Sequence, residues 1–315
     1  MFFLAEYILK RCLHLIFVLF GVSLLTFSLS HLIPGDPAEI ILKDMGVEAT
    51  EKEVESLREE LGLNERFLVQ YKNWLKNALK GDLGQSFRTG GDVAEEIRVR
   101  LPATIILTLG ATFIMIVISL PLGILSAIYK NTWIDHLSRG IALIGASMPS
   151  FWLALILMYI LAVRHPIFPV MGRGSLSHLF LPAFTLGAGM ATTFARLIRA
   201  SMLEVLGEDY ILAARSRGLK ENIVIVNNAL KSALLPVITS FGMSFGHLLG
   251  GTVIIENIFA WPGVGNFLVE SIYGRDYPVI QGYVLWMSII FVFVNLIVDI
   301  SYKFLDPRVS LGRKS

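Results

Sequence analysis

Residues 101–129 read "LPATIILTLGATFIMIVISLPLGILSAIY", 29 consecutive positions without Asp, Glu, Lys or Arg. An α-helix rises about 1.5 Å per residue, so roughly 20 apolar residues cross the ~30 Å hydrocarbon core of a bilayer. This stretch is long enough to do so. Five further runs have the same character, at 12–35, 140–163, 174–195, 232–255 and 277–298. Backbone groups in lipid must be paired within the chain, which leaves continuous helices as the natural reading of such runs. The expected fold is therefore an all-α membrane protein with six transmembrane helices.

Composition agrees. The 315 residues are 54% hydrophobic and 17% charged, with mean hydropathy +0.65. Soluble domains run at about 45–50% apolar and about 25% charged. A soluble enzyme is excluded by that balance, and a disordered chain by the apolar content. A net charge of +2 gives no electrostatic case for nucleic acid. The single cysteine, Cys12, permits neither an intramolecular disulfide framework nor a cysteine metal cluster. The first run exceeds the apolar core of a signal peptide and no small-residue cleavage site follows, so it is expected to stay as a span.

Loop charges set the expected orientation. Lys10, Arg11, Lys130, Arg139, the six basic residues of 196–231 and the four from Lys303 onward fall on one side. The other short loops carry only Arg164, Arg173 and Arg275. Basic residues mark the cytoplasmic face, so both ends are expected inside. One membrane domain, 1–315, then carries an extracytoplasmic helical insertion at 37–100 and a cytoplasmic region at 200–231. Within the insertion, Thr50 and Glu53 have capping-box spacing ahead of Val54, Leu57 and Leu61, with Gly62 as the stop. A second helix is predicted over 65–79. Its face of Phe67, Tyr71, Trp74 and Leu75 should pack on the outer ends of the spans. Asn257–Val269 is apolar but too short to cross, so 256–276 is expected as an extracytoplasmic re-entrant segment, broken by Pro262, Gly263 and Gly265, with Trp261 at the interface.

Several chemistries are missing. No Gly-x-x-x-x-Gly-Lys string occurs, so no phosphate-cradling loop is expected, and no cofactor. Gly242-Met243-Ser244-Phe245-Gly246 matches the serine-nucleophile pattern, but it falls within an apolar run where a strand-to-helix elbow has no place. Gly242, Gly246 and Gly250 recur every four residues and make a smooth face for helix packing. Met243 and His247 lie four apart on the neighbouring face. As thioether and imidazole they would suit transient coordination of a transition metal, although a neutral histidine hydrogen-bonded to another helix is the favoured reading of His247.

The stretch "RLIRASMLEVLGEDYILAARSRGLKENIVIVNNALKSALLP" at 196–236 joins an apolar helical pattern to Glu204, Glu208 and Asp209, then Arg215, Arg217 and Lys220. It would lie on the membrane surface or dock in a protein groove, and the small side chains of Ala213, Ala214 and Gly218 suit the groove.

"EDYILAARSRGL" at 208–219 resembles the cytoplasmic EAA-type loop of ABC-importer permeases, with Leu212 in place of the motif's first Glu. Further strings resemble the dipeptide/oligopeptide/nickel branch of that family: "PGDPA" (34–38), "GDLGQSF" (81–87), "RLPATIILT" (100–108), "SMPSFWLALIL" (147–157), "IIENIFAWPGVG" (254–265) and "RDYPVIQ" (275–281). Within the branch, "SMPSFWLA" and "GGTVIIENIFAWPGVG" are most similar to the nickel-import permease. The resemblance implies a type I ABC-importer permease architecture in the cell membrane, with no ATP site of its own. The implied partners are a second homologous permease subunit, two cytosolic ABC ATPases, an extracytoplasmic solute-binding protein and membrane lipid. It also implies that 204–219 forms a coupling helix whose ATPase-docking residues are Glu204, Glu208, Asp209, Tyr210, Ala213, Ala214, Arg215, Gly218 and Leu219. Nickel, free or chelated, is the expected cargo; di- or oligopeptides are the alternative. An ATP-independent channel or secondary transporter is the remote one, since the spans lack acidic relays.

Overall fold

The computed structural model describes residues 15–28, 37–44, 50–60 and 62–305. Every regular element among them is helical. Three short helices follow α1 (Leu15–Ser28): α2 (Pro37–Asp44), α3 (Glu51–Glu60) and α4 (Phe67–Ala78). Next come α5 (Val93–Ile128), α6 (Trp133–Ser147), α7 (Ser150–Met158, extended by a π-helical turn Tyr159–Arg164) and α8 (Leu176–Leu206). The remainder is α9 (Asp209–Ser216), α10 (Glu221–Ile223), a π-helical segment Val224–Leu230, α11 (Lys231–Ile258), α12 (Val264–Tyr273) and α13 (Tyr277–Leu305).

Among the described residues, four stretches are long and apolar enough to cross a bilayer: α5, α8, Glu221–Gly242 and Tyr277–Ile297. The fourth run forms one continuous helix that continues to Leu206, whereas the third is broken. Residues 140–163 are not one straight span; α6 and α7 meet at 99°. Pro149 has no N–H to donate and disfavours helical backbone before it, and Met148 and Pro149 accordingly have ψ of 122° and 138°. Pro121, Pro182 and Pro236 by contrast lie inside continuous helices. The first run is seen as α1 alone, and the rest of it lies outside the described residues. α5 begins at Val93, ahead of the charge-free run, so the last residues of 37–100 are helical and continuous with it.

Two units divide the chain. One comprises the residues up to Pro102 with Asn266–Phe293. In it the capping box forms as expected: the Thr50 backbone N–H and hydroxyl both donate to Glu53 Oε2 at 2.8 Å. The aromatic face of α4 packs on α1. Phe27 contacts Phe67, Tyr71 and Trp74 at centroid separations of 5.4, 5.4 and 5.7 Å. The hydroxyls of Ser23 and Tyr71 lie 2.8 Å apart.

The other unit, Ala103–Gly265 with the residues from Val294, is organised around α8. Of the apolar window of α8, 61% is buried, against 28%, 29% and 17% in the other three. Small residues allow the approach. A Cβ at Gly187 would stand 2.5 Å from the Ala111 carbonyl on α5, and one at Gly123 would stand 2.6 Å from Ile198 Cβ. A Cβ at Gly145 on α6 would collide with Thr192. In α5 the buried positions Ala103, Leu107, Ala111 and Met115 repeat every four residues, while Leu109, Phe113 and Val117 face outward on another side. Gly250 of α11 has no atom within 4 Å of its would-be Cβ.

These contacts give a test. Gly187→Ala should destabilise the detergent-solubilised subunit by about 1–3 kcal/mol through overpacking against α5. Gly250→Ala, which fills open space, should leave its thermal midpoint unchanged or slightly raised.

Candidate functional site

The segment after α8 turns sharply. Gly207 and Glu208 end that helix, and α9 follows with Glu208 in extended backbone at its N-cap. Helical spacing places Ile211 and Ala214 on one face, and both are buried, 0% and 9% exposed. They join a core cluster with Ile198 and Met202 of α8, Ala127 of α5, and Val224 and Ala229 of the π-helical segment. Burying one side chain such as Ile211 contributes about 1.5–3 kcal/mol, so an eight-residue helix is held by its underside. The opposite faces remain open. Asp209, Tyr210, Leu212, Ala213, Arg215 and Leu219 are exposed, with Leu212 at 63%.

The exit from α9 is a Schellman turn. Gly218 N–H donates to Arg215 O at 2.9 Å, and Leu219 N–H to Ala214 O at 3.4 Å. Gly218 has φ +75°, left-handed backbone that a residue with a Cβ resists. Arg215 then reaches Glu221 through two hydrogen bonds, 2.6 and 3.2 Å, which raises the guanidinium pKa above its ordinary value.

The expected docking set is thereby sorted. Glu204 belongs to α8, before the turn, so the continuous helix expected over 204–219 is replaced by 209–216. Ala214 faces the core and anchors the helix. Glu208, Asp209, Tyr210, Ala213, Arg215, Gly218 and Leu219 are exposed together on the far side. Leu212, noted in the sequence only as a departure from a motif, is the most exposed apolar side chain there.

Three buried carboxylates were missed by the sequence reading. Asp135, 0% exposed, receives Arg199 Nε and Nη2 at 2.8 Å each, the Ser126 hydroxyl at 2.6 Å and the Asn131 N–H at 3.0 Å. Glu256, also 0% exposed, receives the Thr104 hydroxyl at 2.6 Å and the Gly265 N–H at 2.7 Å. Thr104 Oγ1 accepts from the Val264 N–H at 3.0 Å. A Cβ on Gly263 would overlap the Glu256 carboxylate, which is why the turn carries glycine. Asp276 receives the Ser86 hydroxyl at 2.5 Å and the N–H groups of Phe87 and Arg88 at 3.1 and 3.3 Å. Glu256 and Asp276 flank charge-free runs and Asp135 lies between two of them, and the sequence alone singles out none of the three as a site.

Trp261 is held inside the chain. It is 1% exposed, its indole N–H donates to Ala103 O at 2.9 Å, and it forms the core of the turn. Gly242, Met243, Ser244, Gly246 and His247 all lie within the continuous helix α11, so no nucleophile elbow exists. The side chains of Met243 and His247 lie outside the described ones.

Comparison with known proteins agrees with this architecture. Residues 119–311 match the family described as binding-protein-dependent transport system inner membrane component, and 4–108 match its N-terminal partner family. The chain belongs to this family, the membrane permease subunits of ABC importers. It is 43% identical to the dipeptide transport system permease protein DppB of Alkalihalophilus pseudofirmus, over 96% of this chain and 98% of that one. It is 40% identical to the glutathione transport system permease protein GsiC of Escherichia coli K12, over the same shares of each chain. Among solved structures, the MetNI methionine ABC transporter in inward-facing conformation superposes with TM-score 0.59 at 20% identity, over 67% of this chain and 96% of that one. The shared fold is that of a type I importer permease. The subunit is an integral inner-membrane component and not itself a catalytic enzyme.

The two faces of α9 should separate by mutation. Ile211→Ala should lower subunit stability by about 2–5 kcal/mol, as core truncations do. Leu212→Ala should stay within about 0.5 kcal/mol in the same unfolding measurement.

Proposed function

We propose that this chain is one half of the membrane pore of an ATP-driven importer of di- or oligopeptides. It would have six spans and both ends in the cytoplasm. A second homologous permease would complete the pore, two cytosolic ATPases would drive it, and an extracytoplasmic solute-binding protein would deliver the peptide. The observation that carries the reading is α9, an exposed helix clipped to the core by Ile211 and Ala214 with Tyr210, Leu212, Ala213 and Leu219 turned outward. A short apolar-and-acidic knob of this kind fits a cleft on a partner protein better than it fits lipid.

ATP-driven closure of the ATPases would displace α9, and the helices packed with it would rock between inward- and outward-facing arrangements. Peptide takes precedence over nickel because the relatives named above transport dipeptide and glutathione, and none of them is a nickel permease. Of the glycines of α11, Gly242 is buried within this chain and Gly250 is exposed with open space above it, so the Gly250 end of that face would meet the second permease.

Radiolabelled dipeptide and nickel uptake in cells with and without the gene test the cargo. Loss of dipeptide uptake with nickel uptake unchanged is the expected result; the reverse would restore the nickel reading and justify His247→Ala as a ligand test. Docking is tested separately. Leu212→Arg and Gly218→Trp should reduce ATPase co-purification at least tenfold while the subunit still reaches the membrane at normal levels. Undiminished co-purification would sink the docking assignment.

A further inference from the structure

Of the three buried carboxylates, Asp135 alone joins two long helices through an ion pair. Ser126 is on α5, Asn131 is in the turn after it, Asp135 opens α6 and Arg199 is on α8, so one carboxylate is the joint of three helices. Arg199 lies beside Ile198 and one turn before Met202, and both of those residues are in the cluster that holds Ile211 and Ala214 of α9.

An apolar contact would be the less demanding way to join these helices. Burying an ion pair has a desolvation cost, and shape-matched hydrophobic replacements are often as stable or more so. What the pair supplies is a single geometry: a two-pronged guanidinium–carboxylate contact fixes distance and angle together. Close packing also joins α5 to α8, with Gly123 against Ile198 and Gly187 against Ala111. The pair adds a directional tie to that packing at the end of α8 that bears α9.

We propose that Asp135 and Arg199 are positioning residues that transmit motion: they make the α5–α6 turn move with α8, so that displacement of α9 reaches α5 and α6 without slack. The proposal rests on α9 being the ATPase-docking helix.

The test uses the complete transporter, with both permeases, the ATPases and the binding protein, reconstituted in vesicles. Labelled dipeptide uptake and ATP hydrolysis are measured together, and ATPase co-purification is measured first. Asp135→Asn should retain the ATPases, yet its dipeptide moved per ATP should fall at least tenfold. The neutral pair Asp135→Asn/Arg199→Gln leaves no unpaired buried charge and guards against misfolding; it should assemble normally and stay uncoupled. In a Cys12→Ser background, Asp135→Cys/Arg199→Cys bridged by a short bis-methanethiosulfonate, which forms a disulfide with each thiol and releases methanesulfinate, should recover the ratio to within about threefold, and the unbridged protein should not.

A wild-type ratio in either neutral variant would overturn the proposal. So would uptake and hydrolysis falling in equal proportion, which marks a role in folding only, and so would a bridge that abolishes transport, which means the pair must open. Failure of the unmutated chain to retain the ATPases would instead overturn the docking reading, and unmutated transporter that hydrolyses ATP without moving dipeptide would overturn the cargo.

Discussion

A backbone N–H or C=O without a partner costs several kcal/mol in hydrocarbon, and the rest of this structure answers to that constraint. Long helices meet it through their own bonds, which is why the charge-free runs become α5, α8, α11 and α13. Irregular segments cannot. Where the chain turns beside a span, a buried carboxylate accepts the stranded N–H groups: Asp135 that of Asn131, Glu256 that of Gly265, and Asp276 those of Phe87 and Arg88. Each carboxylate is in turn satisfied by a hydroxyl, from Ser126, Thr104 and Ser86 respectively. The repeated pairing of acid, hydroxyl and backbone turns the least regular parts of the chain into fixed corners.

These corners account for strings that the family resemblance singled out without explaining them. "RLPATIILT" supplies Thr104 and the carbonyl of Ala103; "IIENIFAWPGVG" supplies Glu256, Trp261, Val264 and Gly265 that meet them. "GDLGQSF" supplies Ser86 and Phe87 to the Asp276 of "RDYPVIQ". Segments separated by about half the chain thus form two local devices. Their chemistry is structural, since each acid is fully engaged by donors of its own unit, which also removes Asp135 and Asp276 as open relays for a channel or secondary transporter.

The site follows the same economy of parts. A helix as short as α9 would be marginal alone in water. It persists because Ile211 and Ala214 insert into the cluster around α8 and because the Gly218 turn closes its C-terminus. On its outer face Tyr210, Leu212 and Ala213 remain exposed. The packing that holds α9 and the ion pair that ties α8 to the α5–α6 turn converge on neighbouring turns of one helix, Ile198 to Met202.

Runs of residues without charge by themselves determined that the chain is helical and membrane-embedded, since hydropathy and the cost of unpaired backbone act locally along the chain. Local chemistry also disclosed the Thr50–Glu53 capping box, the aromatic face of α4 and the exposed helix around Asp209 and Tyr210. Tertiary structure alone decided the rest. Which side of α9 faces inward depends on what α8 presents to it, so that Ala214 is buried and Leu212 exposed emerges only from the packing. The break at Pro149 could be read as a kink until the 99° bend appeared. The partners of Asp135, Glu256 and Asp276 lie 64, 152 and 190 residues away in the chain, at Arg199, Thr104 and Ser86. Periodicity reports a residue's own helix face, and a partner that distant is specified only when the helices are packed.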